Sequence, residues 1–162
     1  MKVRQADANE MKKLWKYSDT PTYNYFVKGL ESGLIEFWTV EVNGELVGEL
    51  YVVCDSPDKD EADGVKRAYL CAFRINKSHQ GQGLGSKLML RVIKRIYEKG
   101  FQEITIGADN DDYERLSAMY HSWGFDELVK TQNVDYHYLD KDNNPTRSDE
   151  PWNLYIKRNK DI

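Results

Sequence analysis

Cysteine is scarce: only Cys54 and Cys71 occur among 162 residues. Both fall inside apolar stretches and read as packed small hydrophobes, which argues against a disulfide framework and makes the cytoplasm the expected compartment. Long hydrophobic runs are missing too, and none approaches the roughly 20 residues that a membrane span needs. The opening Met-Lys-Val-Arg-Gln-Ala-Asp has no signal-like apolar core. His79, His121 and His137 are the only histidines, scattered without zinc-site spacing. Nor is there an excess of basic charge: 27 Asp and Glu outnumber 23 Lys and Arg, for a net −4. That balance argues against nucleic acid as a partner. Repeats and low-complexity tracts are absent as well, so a solenoid or a linker-like chain is not expected.

What is present is the composition of a globular fold, 40% hydrophobic and 31% charged, in a chain the size of one domain spanning residues 1–162. Its organising stretch is Arg67 to Gly100. Ala68-Tyr69-Leu70-Cys71-Ala72-Phe73, with Ile75, forms a near-continuous apolar run, the pattern of a strand covered on both faces. Gln80-Gly81-Gln82-Gly83-Leu84-Gly85 follows, then Ser86 and a helical pattern. Leu84, Leu88, Val92 and Ile96, joined by Met89, Ile93 and Tyr97, make one apolar face. Gly100 closes the helix where a left-handed residue costs least.

A glycine turn running into a helix presents backbone N–H groups that no intrahelical carbonyl can reach, at the positive end of the helix dipole. Such a turn suits a phosphate or pyrophosphate, and it also suits plain packing of helix on strand. The order Gly85-Ser86-Lys87 is wrong for a P-loop, and Ser86 stands where a dinucleotide fingerprint wants its third glycine. Gln80, Gly83 and Gly85 fit Gln-x-x-Gly-x-Gly instead. With Ile75 to Gly85 leading the turn and Tyr120-His121-Ser122-Trp123-Gly124-Phe125 downstream, the chain resembles the GNAT superfamily of acyl-CoA-dependent N-acetyltransferases. The resemblance is close from Arg67 to Phe125 and rests on pattern in the flanks.

The resemblance implies an α/β fold with a mixed, twisted sheet of six to seven strands and helices on both faces, in which the strands on either side of the glycine-turn helix splay apart. It implies acetyl-CoA as acyl donor, with the N–H groups of Gly81, Gln82, Gly83, Leu84, Gly85 and Ser86 on the pyrophosphate, Gln80 opening the turn, and backbone near Phe73 and Ile75 on the pantetheine arm. Tyr120 matches the family tyrosine that protonates the departing thiolate; a phenol is protonated at pH 7 and needs no tuning for this. Relatives carry an asparagine seven residues before that tyrosine, where this chain has Tyr113; Asn110, three residues earlier, is the nearest candidate. Many relatives also place a carboxylate on the central strand. Cys71 and Ala72 stand there instead, leaving Glu49 and Asp109 as candidate bases, acting through a water.

Around this unit the pattern predicts a strand at Lys2 to Ala6, a helix capped by Asp7 or Asn9 and running to Tyr17, and a second helix from Thr20-Pro21 to Gly33. Tyr23, Tyr25 and Phe26 on that helix either join the core or face an acceptor. Asn43-Gly44 joins strands Ile35 to Val42 and Glu45 to Cys54 in a hairpin. Later strands are expected at Phe101 to Ile106, Phe125 to Leu139 and Trp152 to Lys157, with a turn-rich loop over Asp140 to Pro151. Acids crowd Asp55 to Asp63 and Asp109 to Glu114. They form either solvated loops or a negative rim that draws a small polycationic amine. Tyr136, Tyr138, Trp152 and Tyr155 either build a homodimer surface or pack the sheet. An amine acetyltransferase for small cationic acceptors, a protein amine acetyltransferase and a non-catalytic acyl-CoA-binding module are the readings carried forward.

Overall fold

A computed structural model describes residues 1–16, 19–108 and 113–160. The chain begins with β1 (Lys2–Ala6), α1 (Ala8–Leu14) and α2 (Pro21–Ser32), then β2 (Ile35–Val42), β3 (Glu45–Leu46), β4 (Gly48–Val53) and β5 (Arg67–Ile75). It continues with α3 (Leu84–Glu98), β6 (Glu103–Ala108), α4 (Tyr113–Ser122), β7 (Glu127–Leu139) and β8 (Pro145–Arg158). The strands form an eight-stranded sheet in the order β1-β2-β4-β5-β6-β8-β7, with short β3 paired to β2. Among the described strands only β5 and β6 pair in parallel, and α3 supplies the crossover that parallel neighbours need.

Side chains alternate across a strand, and here the alternation separates two cores. Trp38, Val40, Leu50, Val52, Ala68 and Leu70 meet Leu84, Leu88, Met89, Val92, Ile93 and Ile96 of α3 on one face. Their sequence neighbours Phe37, Tyr51, Val53 and Tyr69 meet Met11, Tyr23 and Phe26 of α1 and α2 on the other. Each fully buried Leu, Ile or Met contributes about 1.5–3 kcal/mol relative to exposure. The buried face of α3 is the one its periodicity predicts.

The helix ends follow their caps. Asp7 accepts the Glu10 N–H at 2.9 Å while Glu10 reaches back to the Asp7 N–H, a capping box. Thr20 accepts the Tyr23 N–H, Pro21 opens α2, and Gly33 ends it at φ +83. Asn43 and Gly44, at φ +52 and +81, turn the hairpin as their sequence requires.

Four expectations need correction. The helix predicted to Tyr17 ends at Leu14, with Trp15 as its C-cap in extended conformation. The strand predicted over Glu45 to Cys54 is broken at Val47, where the register against β2 slips by one residue; this split gives the eighth strand. The loop predicted over Asp140 to Pro151 is a tight turn followed by β8: Asp140 accepts the N–H groups of Asp142 and Asn144. Pairing of β8 with β7 lapses between Arg147 and Trp152, around Pro151, which has no N–H to give a ladder. Finally, β5 is buried only as far as Leu70; Cys71, Phe73 and Ile75 are half-buried and Ala72 and Arg74 exposed. The apolar run is therefore continuous in sequence but covered on both faces only in its first half.

Candidate functional site

The fork that opens beside β5 starts with one additional residue. From Glu49↔Arg74 to Tyr51↔Cys71, β5 has one residue more than β4, and Ala72 there lies at φ +55. A bulge of this kind bends its strand away from a neighbour, and holding a Cβ-bearing residue left-handed costs about 1–2 kcal/mol. Pairing between β5 and β6 accordingly stops at Leu70↔Ile106. Beyond that point β5 keeps only β4 as a partner and β6 only β8. The splay is a property of backbone geometry that no residue type announces.

A cleft of about 950 Å³ fills the fork. Tyr69 to Arg74 line it from β5, Ile106 and Gly107 from β6, Leu116 and Tyr120 from α4, and Trp15 and Phe26 from the α1–α2 side. Asp135, His137 and Tyr138 of β7, with Ser148, Glu150 and Trp152 of β8, close the remaining wall. Tyr120 is 5% exposed and stands among Trp123 and Phe125, with ring centroids 6.2 and 6.4 Å away.

Below the fork, the glycine turn separates the two explanations of its glycines. Gly81 and Gly83 sit at φ +79 and +78, and a Cβ at either would meet nothing within 4 Å. Gly85 has a different reason: its Cβ would come to 3.3 Å from Phe73 Cζ, so it lets α3 pack closely on β5. The first helical bond is Lys87 N–H to the Gly83 carbonyl at 3.2 Å. Among the described residues, the N–H groups of Gly81 to Ser86 have no protein acceptor. Gln80 turns its side chain inward, donating to the Ile75 carbonyl at 2.9 Å. It thus ties the turn to the end of β5. Gln82 and Ser86 are exposed, and Leu84 is in the core. Phe73 packs edge-on to Trp123, 5.9 Å away, and Ile75 is half-buried beside it on β5.

The base candidates fare differently. Glu49 is 7% exposed and does not line the cleft. Its Oε1 accepts from Trp15 Nε1 at 3.1 Å and from the Tyr51 hydroxyl at 2.8 Å, and its Oε2 accepts from Arg74. Both oxygens of Glu49 are thus hydrogen-bonded, and the carboxylate braces Trp15 and the neighbouring strand β5 against β4. Asp109 and Asn110 lie outside the described residues. His79 is half-buried and bonded to Ser78, while His121 lies against Tyr155 and the Ser117 carbonyl; neither lines the cleft. Tyr113 bonds Tyr155 across their hydroxyls at 2.6 Å.

His137 and Asp135 are the groups that sequence reasoning undervalued or missed. His137 is 5% exposed; its Nδ1 meets the Tyr25 hydroxyl at 2.9 Å and its Nε2 meets Glu61 at 3.0 Å. Donation from Nε2–H to Glu61 and acceptance of the Tyr25 O–H by Nδ1 satisfy all three groups. Glu61, 1% exposed, also accepts from Ser56 at 2.9 Å and Gln132 at 3.0 Å. Burial pushes the Tyr25 phenol and the Cys71 thiol up, with Glu61 and Asp135 adding to both. Asp135 accepts the His137 N–H at 2.9 Å.

The first acidic loop is therefore not a free negative rim. Asp55 pairs with Lys59, Asp58 and Asp60 with Lys130, and Asp63 caps the N–H groups of Val65, Lys66 and Arg67. Most of the second cluster, Asp109 to Asp112, lies outside the described residues; Glu114 opens α4. Of the aromatics considered for a dimer surface, Tyr155 is in the core and Trp152 lines the cleft; Tyr138 is 57% exposed. Tyr23 and Phe26 belong to the core, and Phe26 also faces the cleft.

Among the described residues, no helix is long and apolar enough to cross a membrane, and no cluster of His, Cys, Asp and Glu is arranged to hold a metal. The chain is 26% identical over 113 residues to rat (Rattus norvegicus) N-acetyltransferase family 8 member 2, covering 63% of this chain and 48% of that protein. It spans about half the length, or less, of the curated relatives it matches. In three dimensions it is similar to a ribosomal-protein-alanine N-acetyltransferase from Brucella melitensis, with TM-score 0.69 and 14% identity over 98% of this chain and 99% of that one. It is likewise similar to an acetyltransferase of Elizabethkingia anophelis with acetyl-CoA bound, at TM-score 0.65 and 15% identity over 97% of each chain. These likenesses concern the fold. The model of the Acetyltransferase (GNAT) family matches residues 3–125, well over half of the sequence, and on that match the chain belongs to the GNAT acetyltransferase family.

Proposed function

We propose that this chain moves the acetyl group of acetyl-CoA onto a primary amine by direct transfer, with donor and acceptor bound together. One observation carries the reading: a row of N–H groups without protein acceptors, from Gly81 to Ser86, stands at the foot of a fork whose β5 edge is also unpaired toward β6. An elongated donor with a pyrophosphate at one end and an amide-bearing arm in the middle needs both features. The open space over Gly81 and Gly83 admits an anion to the backbone. In this reading the backbone of Phe73 and Ile75 pairs with the pantetheine arm, Gln80 holds the turn in place, and the N–H groups near the bulge polarise the acetyl carbonyl. Tyr120, in the cleft wall, gives the thiolate its proton. Acetyl-CoA bound to the Elizabethkingia relative supports the choice of donor.

The acceptor is an amine. A small molecule is the first choice. A protein amine is the second, supported by the likeness to the Brucella protein named for a ribosomal-protein alanine. Free Cys54 and Cys71 are in keeping with a reducing compartment, and the cytoplasm is the proposed location.

The test is Tyr120→Phe. Turnover should fall about 100-fold or more, while the acetyl-CoA dissociation constant stays within about twofold because the pyrophosphate contacts are backbone. Full turnover in the variant removes Tyr120 from the chemistry. An unfolding midpoint raised by ATP or NAD and unmoved by acetyl-CoA removes the reading itself.

A further inference from the structure

On the basis of the transferase reading, we propose that Asp135 receives the acceptor's ammonium group, and that the acceptor is an amine carried on a flat apolar body. Among the described residues, the fixed charges lining the cleft are Asp135, Glu150, Lys16 and Arg74. Arg74 is already paired with Glu49, and the acids of the Asp55 to Asp63 loop are taken by Lys59, Lys130, His137 and backbone N–H groups. The walls of the cleft are aromatic, lined by Trp15, Phe26, Tyr69 and Trp152.

Among the described residues, neither cleft carboxylate has a cation, and of the two only Asp135 is both half-buried and hydrogen-bonded in place. One oxygen accepts the His137 N–H at 2.9 Å, and no ion pair within the described chain engages the other. Glu150 is exposed on the stretch of β8 where pairing with β7 lapses. Asp135 is half-buried, close enough to the bulge for its charge to help push the Cys71 thiol up. A partly desolvated carboxylate facing a cleft attracts a cation strongly, because water no longer screens it fully.

It is also held still. His137 is fixed by Glu61 and Tyr25, and Thr22 Oγ1 accepts the Leu139 N–H at 2.9 Å and donates to the Leu139 carbonyl at 3.2 Å. The segment bearing Asp135 is thereby clamped to α2 and to the Asp55–Lys66 loop, the condition for presenting a charge in one place. In the step that follows, the ammonium gives one proton to Asp135, which releases it to solvent, and the nitrogen lone pair forms the N–C bond. As the C–S bond breaks, its electrons go to sulfur, and the second nitrogen proton reaches the thiolate by way of Tyr120. The products are the amide, the free thiol and one proton.

The experiment compares benzylamine, an ammonium at pH 8, with aniline, which is neutral there, as acceptors followed by thiol release. In Asp135→Asn the ratio of kcat/KM for benzylamine to that for aniline should fall about thirtyfold relative to the unaltered protein; an unchanged ratio overturns the proposal. A second measurement needs no variant. With acetyl-CoA present, benzylamine should raise the unfolding midpoint of the unaltered protein and benzyl alcohol should not; equal shifts overturn it. The proposal and the reading beneath it fail differently. If acetyl-CoA binds but no amine releases thiol, the transferase reading falls and takes Asp135 with it. If the unaltered protein acetylates both amines and the ratio does not move, only Asp135 falls.

Discussion

The turn at the foot of the fork and the arm that closes its cleft are built from different materials. At the turn end, the groups that face the opening are backbone N–H groups of consecutive residues, Gly81 to Ser86, positioned by two left-handed glycines and the first turn of α3. At the arm end they are side chains collected from far apart: His137 reaches Tyr25 over 112 residues and Glu61 over 76. A backbone site keeps its chemistry through most side-chain changes but fails when a Cβ is put where φ is positive. A side-chain site behaves in the opposite way, since each partner removed leaves another buried group unsatisfied.

The sharpest way to break that contrast is His137→Leu. Loss of the imidazole leaves Glu61, 1% exposed, short of a donor, and a buried carboxylate so treated costs about 3 kcal/mol. For a chain of this size the unfolding midpoint should drop by roughly 6–12 °C, while the increment given by acetyl-CoA stays as it was. A drop under about 2 °C would show that the His137 cluster does not hold the arm. Gly83→Val tests the other end. Strain at φ +78 costs about 1–2 kcal/mol of stability, and the isopropyl group enters the space left for the anion. Acetyl-CoA affinity by calorimetry should weaken about tenfold or more; unchanged affinity would move the donor away from the turn.

Legibility in the sequence follows the same division. The hydrophobic face of α3, the caps Asp7 and Thr20, the Asn43-Gly44 hairpin and the glycine turn were all readable, because each depends on residues within a few positions of one another. The position of the bulge at Ala72 is not readable, since alanine gives no sign that it will be left-handed; the family resemblance implies the splay, but the residues do not place it. The strand position of Glu49 makes it a base candidate but does not show its partners. Tyr51 is on its own strand, but Trp15 and Arg74, which also occupy its oxygens, are 34 and 25 residues away in sequence. Glu61 looked like one acid in a solvated loop; only the fold of β7 over that loop buries it against His137. Asp135 carried no local signal either, and becomes a candidate only when β7 is placed across from the bulge.

The turn end nevertheless depends on one buried side-chain cluster, at the far end of its helix. Glu36 accepts from Arg95 at 3.0 Å and Lys99 at 2.9 Å, near the C-terminus of α3, and from Trp38 Nε1 at 3.0 Å. Burial by itself would raise this carboxyl, but the three donors prevail and hold it at about 2, below the ordinary 4.5. An acid held below its unfolded value adds stability at every pH above that value and loses the contribution as pH falls from about 4.5 toward 2. Arg95 and Lys99 are partly in water, so screening brings the contribution down to about 1–2 kcal/mol. Urea unfolding should therefore find Glu36→Gln less stable than the unaltered protein by about that amount at pH 7, with the gap narrowing between about pH 4.5 and pH 2. A gap that stays constant across this window would mean that the cluster acts through packing alone. The α3 anchor would then be insensitive to acid, and the turn end would depend on side-chain charge no more than its N–H groups do.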